Sequence, residues 1–387
     1  MVAVEESVLG GASSTAARLR ALLPAFERNP RLTVAAAMMG SILFTWAPFL
    51  QTPDVLYRYW DGPHYVYLAK TLYDVPANHP FTPYNLTPAY YATHFPAYPL
   101  LIRLLSPLTL GHYLPAMLLA TVVSSVLAAI LFYEVLSRFG LVVSPLWTAI
   151  LFAFIPPRWV IYHSVGASEP LFLVFVFAAF LAYRGNRTGL LIASVALASL
   201  TRIMGLLLVP AFMAAALLDR RYRQAALLPL AGLGVVALFS WHLLLYGDFL
   251  AYFARNLEQS GHLARVPLLA LRSYAAAGNT HDAEFYLGFY ALYGVGTLAL
   301  FRQRAVFLYL LAFLGFNAFV FHFDLSRMFL PMAPFALLVG FDGVLSKPAC
   351  RAALPFLIWL DCVYAWGLIP QNTVVPSVYE ALVRALS

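Results

Sequence analysis

Charge is what this sequence has least of. Aspartate, glutamate, lysine and arginine make up 11% of its 387 residues, whereas a soluble domain carries about a quarter. A water-facing surface cannot be assembled from so small a pool, so an ordinary soluble globular domain is excluded. Cysteine is nearly absent as well, with only Cys350 and Cys362. These flank the core of the last apolar segment at different depths of one expected helix, which excludes a disulfide scaffold. No metal-ligand spacing appears, and no metal is expected. The net charge of +7 is not gathered into a basic run with interleaved aromatics, so nucleic acid is not an expected partner. Internal repeats and low-complexity segments are missing too. Arg18, Arg20, Arg28 and Arg31 precede the first apolar run without a cleavage-site pattern, so residues 1–31 read as a cytoplasmic tail rather than a signal peptide.

What the chain does have is apolar length. Hydrophobic residues make up 62% of it, and its mean hydropathy is +0.78. Runs such as Leu114 to Tyr133 and Leu227 to Leu245 match the ~30 Å hydrocarbon core at the helical rise. Helices satisfy their own backbone hydrogen bonds, which lipid cannot do for them. The expected fold class is therefore an all-α polytopic membrane protein forming a single domain over 32–387, with about eleven transmembrane helices. The expected spans are 32–50, 113–136, 146–162, 169–183, 188–201, 203–218, 224–245, 284–300, 305–321, 328–345 and 352–369.

A cytoplasmic N-terminus puts five basic clusters inside: Arg138; Arg184 and Arg187; Arg220, Arg221 and Arg223; Arg302 and Arg304; Lys347 and Arg351. The region 188–218 decides this topology. As one helix it is too long for a span and inverts everything downstream; as two short helices meeting at Thr201-Arg202 it keeps the charge bias. Two long loops, 51–112 and 246–283, then fall on the non-cytoplasmic side. The first is rich in proline and aromatic residues, with interfacial stretches expected at Tyr65 to Tyr73 and Pro99 to Leu110.

Charge in or at the rim of a membrane domain is expensive and needs a reason. On this topology the outer side collects Arg58, Asp61, His64, His94, Arg158, Glu169, Arg202, His242, Asp282, His322, Asp324 and Arg327, drawn from many separate segments. That asymmetry locates a site on the outer face. The strongest local signal is Tyr57-Arg58-Tyr59-Trp60-Asp61-Gly62-Pro63-His64-Tyr65. A carboxylate flanked by aromatics suits a general base that takes a proton from a hydroxyl. The structural alternative is an aromatic belt with Asp61 capping the next helix. Glu134 pairs with Arg138 one turn away, Asp342 lies close to Lys347, and Asp361 falls mid-span with no partner in view.

Tyr59-Trp60-Asp61-Gly62-Pro63-His64-Tyr65 resembles the Arg-Trp-Asp-x-x-x-Tyr signature of PIG-V-type mannosyltransferases, which belong to the GT-C class of polyprenyl-phosphate-sugar-dependent glycosyltransferases. Further similar elements follow in the family's order. They are His94-Phe95-Pro96-Ala97-Tyr98-Pro99-Leu100, Ser168-Glu169-Pro170-Leu171-Phe172, Ser199-Leu200-Thr201-Arg202-Ile203-Met204-Gly205, Tyr246 to Tyr252 and Ser326-Arg327-Met328-Phe329-Leu330-Pro331. The departures are Arg58-Tyr59-Trp60 where the family has arginine directly before tryptophan, His94 for phenylalanine, Pro170 for serine and Met328 for tyrosine.

The resemblance implies a polyprenyl-phosphate sugar donor, mannose first among candidates, and no cofactor beyond it. Asp61 would take the proton from an acceptor hydroxyl that attacks the anomeric carbon with inversion. Arg202 and Arg327 would hold the departing phosphate with their planar forks; the alternative is that they pair with acids such as Glu169 or Asp324. Trp60, His64, His94, Tyr98 and Glu169 are the candidate sugar or acceptor contacts, with structural roles as their alternatives. The acceptor, whether glycolipid, polysaccharide or protein, stays open. Membrane lipids are the expected surroundings, and a bacterial plasma membrane the expected location. A transporter or flippase of lipid-linked saccharides is the competing function, and it would call for a second broken helix pair near mid-membrane. A subunit for anchoring or assembly, without activity, is a third.

Overall fold

The computed structural model describes residues 29–259, 261–322 and 324–387. Most of the expected cytoplasmic tail thus lies outside the described residues. Helix dominates throughout: α1 (Pro30–Trp46), α2 (Asp61–Thr71), α3 (Ala97–Leu105), α4 (Tyr113–Phe139), α5 (Glu169–Arg184), α6 (Thr188–Thr201), α7 (Leu208–Leu218), α8 (Leu233–Tyr246), α9 (Thr280–Ala299), α10 (Arg304–Ala318), α11 (Pro348–Leu368) and α12 (Pro376–Leu386), with further short helices, Ala251–Gln259 and Leu269–Ala276 among them, and turns between. The described residues form strand at only two short segments, Gly261–Leu263 and Val320–His322, paired antiparallel.

Four helical stretches are long and apolar enough to cross a membrane: Pro30–Phe49, Tyr113–Phe139, Tyr222–Tyr246 and Pro348–Gln371. Their outward faces carry Leu43 and Phe44, Leu244, and Phe356, Trp359 and Leu360, all exposed. Continuous apolar surface of this kind needs lipid rather than water. At the centre, α5 packs against α4 and α6, α4 against α1, and α7 against α10. The middle of α5 is nearly all inside, with Phe172, Phe177 and Phe180 buried. A helix apolar on every face belongs there.

The expected division of 188–218 is observed. Helix α6 ends at Thr201, Arg202 adopts an extended backbone (φ −151°, ψ 137°), and a tight turn over Ile203–Leu207 leads into α7. Gly205 makes this possible: a Cβ there would lie 2.3 Å from the Ser199 nitrogen. Other expected spans are not continuous. The 146–162 segment divides into helices Pro145–Leu151 and Pro157–Tyr162, because Pro156 and Pro157 cannot donate backbone hydrogen bonds. The 328–345 segment breaks into short turns that include Pro331 and Pro334. The two stretches expected at the interface overlap helices that begin earlier and end sooner, Asp61–Thr71 and Ala97–Leu105.

Glu134 meets Arg138 as expected, at 2.8 Å, and also Arg31, at 2.6 Å. Asp342 differs from expectation. Its carboxylate accepts from Val143 N (3.1 Å) and Ser346 Oγ (2.9 Å) instead of meeting Lys347, since a nearby backbone donor and hydroxyl satisfy it at no cost in lysine entropy. Asp361 has no ion-pair partner among the described residues. Cys350 and Cys362 are both free thiols.

The C-terminal segment supplies an unexpected element. Trp60 N donates to Asn372 O (3.0 Å), and Val374 N donates to Arg58 O (2.8 Å). The Arg58 guanidinium returns two hydrogen bonds to Val374 O. Val375 N donates to the Tyr84 hydroxyl at 2.9 Å. Helix α12 then lays Val378 and Leu382 against Tyr67, Leu68 and Phe81. The motif around Asp61 is thereby clamped along its backbone by residues more than 300 positions away.

Candidate functional site

Asp61 opens α2, where the positive end of the helix favours a carboxylate. Its side chain does not cap that helix. It reaches Arg327, on the short Leu325–Met328 turn, with Oδ2 2.5 Å from Nη2. Arg327 Nε donates to Glu169 Oε1 at 2.5 Å. Arg202, half-buried at the α6 break, donates to the same Oε1 at 2.7 Å and to Ser168 Oγ at 3.2 Å. One buried carboxylate oxygen thus binds two guanidiniums, and one of those guanidiniums also holds Asp61. Two carboxylates against two guanidiniums give this group a formal charge of zero.

A close backbone approach brings the two halves of the site together. Gly62 and Gly166 pack so tightly that a Cβ on Gly166 would stand 2.9 Å from Gly62 Cα and 2.2 Å from Met117 Sδ. The absence of both side chains lets the first turn of α2 reach the segment leading into α5. Tyr65 Oη then meets Ser168 Oγ at 3.1 Å, which ties α2 to the residue that also contacts Arg202.

A second ion pair sits alongside. Arg158 Nη2 donates to Asp324 Oδ2 at 2.6 Å. The Tyr162 ring serves both arginines, with Arg327 Cζ 4.7 Å and Arg158 Cζ 5.4 Å from its centroid, a cation–π geometry. Asp324 therefore pairs with Arg158, and Arg327 takes Asp61 and Glu169.

Burial by itself would raise the Asp61 carboxyl. The Arg327 guanidinium, helped by His94 and His64, more than reverses this and holds it at about 2. As it stands, Asp61 is firmly ionised but a feeble base, because protonating it means giving up its partner. Burial also depresses the imidazoles. His94 is pushed down to about 4, against a smaller upward pull from Asp61, and His64 falls well below the usual histidine range. Both rings are thus neutral near pH 7.

The remaining sequence-predicted residues divide in two. His64 and His94 lie 5.3 Å apart, centroid to centroid, and Trp60 packs edge-on against His64 at 5.9 Å. Phe81 and Tyr90 complete this aromatic surround. Neither ring nitrogen of His64 has a hydrogen-bond partner among the described residues. Tyr98 stands apart as a sugar contact: it is fully buried, and its hydroxyl is engaged by Thr121 Oγ1 at 2.6 Å and Met117 O at 3.1 Å. Its ring packs edge-on against Tyr65, so it positions Tyr65 instead of facing a ligand.

Sequence reasoning missed Ser168, Tyr65, the Arg158–Asp324 pair and the 372–375 clamp. Ser168 and Tyr65 adjoin residues already singled out, and that adjacency was the available signal. The clamp left none. Among the described residues no group of three or more His, Cys, Asp or Glu is arranged to hold a metal. Chemically, the arrangement offers two preorganised guanidiniums for an oxyanion, a carboxylate within reach of the same point, and aromatic surface beside it. No protein-family model matches this chain, and no curated protein is significantly similar to it.

Proposed function

We propose that this chain is a membrane glycosyltransferase, in which a sugar passes from a polyprenyl-phosphate donor to an acceptor hydroxyl on the non-cytoplasmic face, with mannose the first donor sugar to test. One observation carries the reading: Arg202 and Arg327 converge on the same oxygen of Glu169 while Arg327 also meets Asp61. Four chain segments that are distant in sequence supply phosphate-binding forks and a carboxylate at one point, as the reaction needs.

In the proposed reaction the acceptor oxygen attacks the anomeric carbon and the bond from that carbon to the phosphate oxygen breaks. The electron pair leaves with the polyprenyl phosphate, whose added negative charge the two guanidiniums neutralise. The hydroxyl proton goes to Asp61. Trp60, with its partly exposed ring, offers a stacking surface for a sugar. The topology that accompanies this reading has about eleven spans, several of them short or broken, with the N-terminus in the cytoplasm and the site on the opposite side of a plasma membrane.

The test is transfer of radiolabel from polyprenyl-phosphate-mannose to a membrane lipid extract by protein in lipid nanodiscs. Wild type forms a labelled product, and Asp61→Asn lowers its rate by about a hundredfold or more, the scale expected for a general base. Transfer undiminished in Asp61→Asn removes the base assignment. Failure with every polyprenyl-phosphate sugar and acceptor class, together with movement of intact lipid-linked saccharide between leaflets, replaces the enzyme with a flippase.

A further inference from the structure

The four-charge group poses a problem that the proposed reaction has to solve. Both arginines that would receive the phosphate are already occupied, and the carboxylate that would accept a proton is occupied by one of them. We infer that the donor phosphodiester and Asp61 compete for Arg327, so that donor binding displaces the carboxylate and readies it as a base, and the acceptor hydroxyl is engaged second. This rests on the glycosyltransferase reading and assigns the order in which its site is filled.

Geometry carries the argument. Arg327 spends its Nη2 on Asp61 and its Nε on Glu169, and its planar face lies over Tyr162. The ring fixes the guanidinium in place. What can change is which oxyanion its edge meets. Glu169 is the less mobile of the two acids, being buried and shared with Arg202, whose Nη1 also holds Ser168. Asp61 has the single arginine contact, so it is the one to let go.

Charge balance gives the same answer. A phosphodiester brings one negative charge to a group whose sum is zero, and the excess is relieved when the freed Asp61 takes the acceptor's proton in the reaction, or one from solvent at acid pH. The titratable and charged groups facing Asp61 are Arg327 from the 325–328 turn, His94 from the 88–97 segment and His64 from its own helix. Tyr65, Tyr90 and His322 also sense its charge, and burial holds the His322 imidazole below its ordinary value. His64 and His94 are held neutral by burial, so neither supplies a fixed positive charge to replace Arg327. A carboxylate freed of its guanidinium therefore rises toward the ordinary range. Competition for one cation is also reciprocal: whatever phosphate takes from Asp61, Asp61 takes from phosphate affinity.

The experiment is calorimetric binding to the full chain in nanodiscs, with farnesyl methyl phosphodiester as the probe and farnesol as the phosphate-free control. The diester phosphate does not titrate above pH 3, so any linked proton belongs to the protein. At pH 7 both Asp61→Asn and Glu169→Gln should bind the diester about tenfold more tightly than wild type, within the usual span of coupling between sites. At pH 4.5 wild type should take up a proton fraction, read from two buffers of different ionisation heat, that shrinks in Asp61→Asn. Tighter binding by both variants together with that difference supports displacement. Equal affinity in wild type and variants, or equal proton uptake, overturns it while leaving the phosphate site standing. Diester binding no better than farnesol overturns both the displacement and the donor reading. If Asp61→Asn fails to fold, wild type alone decides: diester binding at pH 4.5 with no proton uptake overturns displacement.

Discussion

Glu169 is the residue whose loss the structure prices most sharply. It is 3% exposed, and its Oε1 accepts from Arg202 at 2.7 Å and from Arg327 at 2.5 Å. Replacement by glutamine keeps the shape and one acceptor oxygen but leaves two buried guanidiniums facing Asp61 alone, a net charge of +1. Breaking a buried ion pair from one side costs about 3–5 kcal/mol. The retained amide oxygen recovers part of this, so Glu169→Gln should destabilise the fold by about 2–4 kcal/mol. Arg202→Gln should cost a similar amount by leaving Glu169 and Asp61 to share Arg327, a net charge of −1. The double variant restores neutrality and should be less damaging than the sum of the two by about 1–3 kcal/mol, a coupling typical of residues in one network. Reversible unfolding by denaturant in mixed micelles, run on all four members of the cycle, measures this. Additive single effects, within about 0.5 kcal/mol, would refute the claim that the group holds together by shared charge.

Gly166→Ala should separate α2 from the turn before α5, since its Cβ has no room against Met117 or Gly62. On the proposed function, sugar transfer should then fall at least tenfold while Asp61, Arg202 and Arg327 are all intact, and product formation per mole of folded protein checks it. Stability should also depend on pH through His94. Its folded value is about 4 against about 6.5 when unfolded, so between those limits the unfolded chain binds a proton that the folded one refuses. That contribution is complete above about pH 6.5 and is lost as pH falls toward 4, by about 3 kcal/mol. His94→Gln should flatten unfolding free energy across that interval. Asp61 acts lower down: held at about 2, it adds stability above about pH 4 that disappears as pH drops toward 2, and Asp61→Asn should remove that slope. Tyr98→Phe should cost about 1 kcal/mol by removing the hydroxyl's hydrogen bonds with Thr121 Oγ1 and Met117 O, with little change in affinity for the proposed donor, as binding of the farnesyl diester checks.

Much of the architecture was legible because the membrane writes itself into sequence. Apolar runs of span length and clustered arginines at their ends follow from solvation alone, and they sufficed for α1, α4 and α11. The break at Thr201-Arg202 was legible for the same reason, since charge bias forbade one continuous helix. Where the reading missed, proline was the cause: Pro156 and Pro157 interrupt a segment whose hydropathy alone suggested one span. Asp342 was matched with the nearest lysine in sequence, but a backbone N–H from residue 143 and a serine hydroxyl were closer in space.

The sequence by itself determined the class of molecule and the cast of the site, because an uncompensated charge in an apolar chain is costly wherever it lies. Asp61, Glu169, Arg202 and Arg327 could be named from that cost. Which acid would pair with which arginine is a matter of distance across the fold, and composition carries no information about distance. Only the tertiary structure decided that Glu169 bridges both arginines, that Arg158 takes Asp324, and that residues 372–375 clamp the segment before Asp61. The approach of the Asp61 turn to the segment carrying Glu169 rests in addition on a glycine-to-glycine contact between Gly62 and Gly166 that no local pattern encodes.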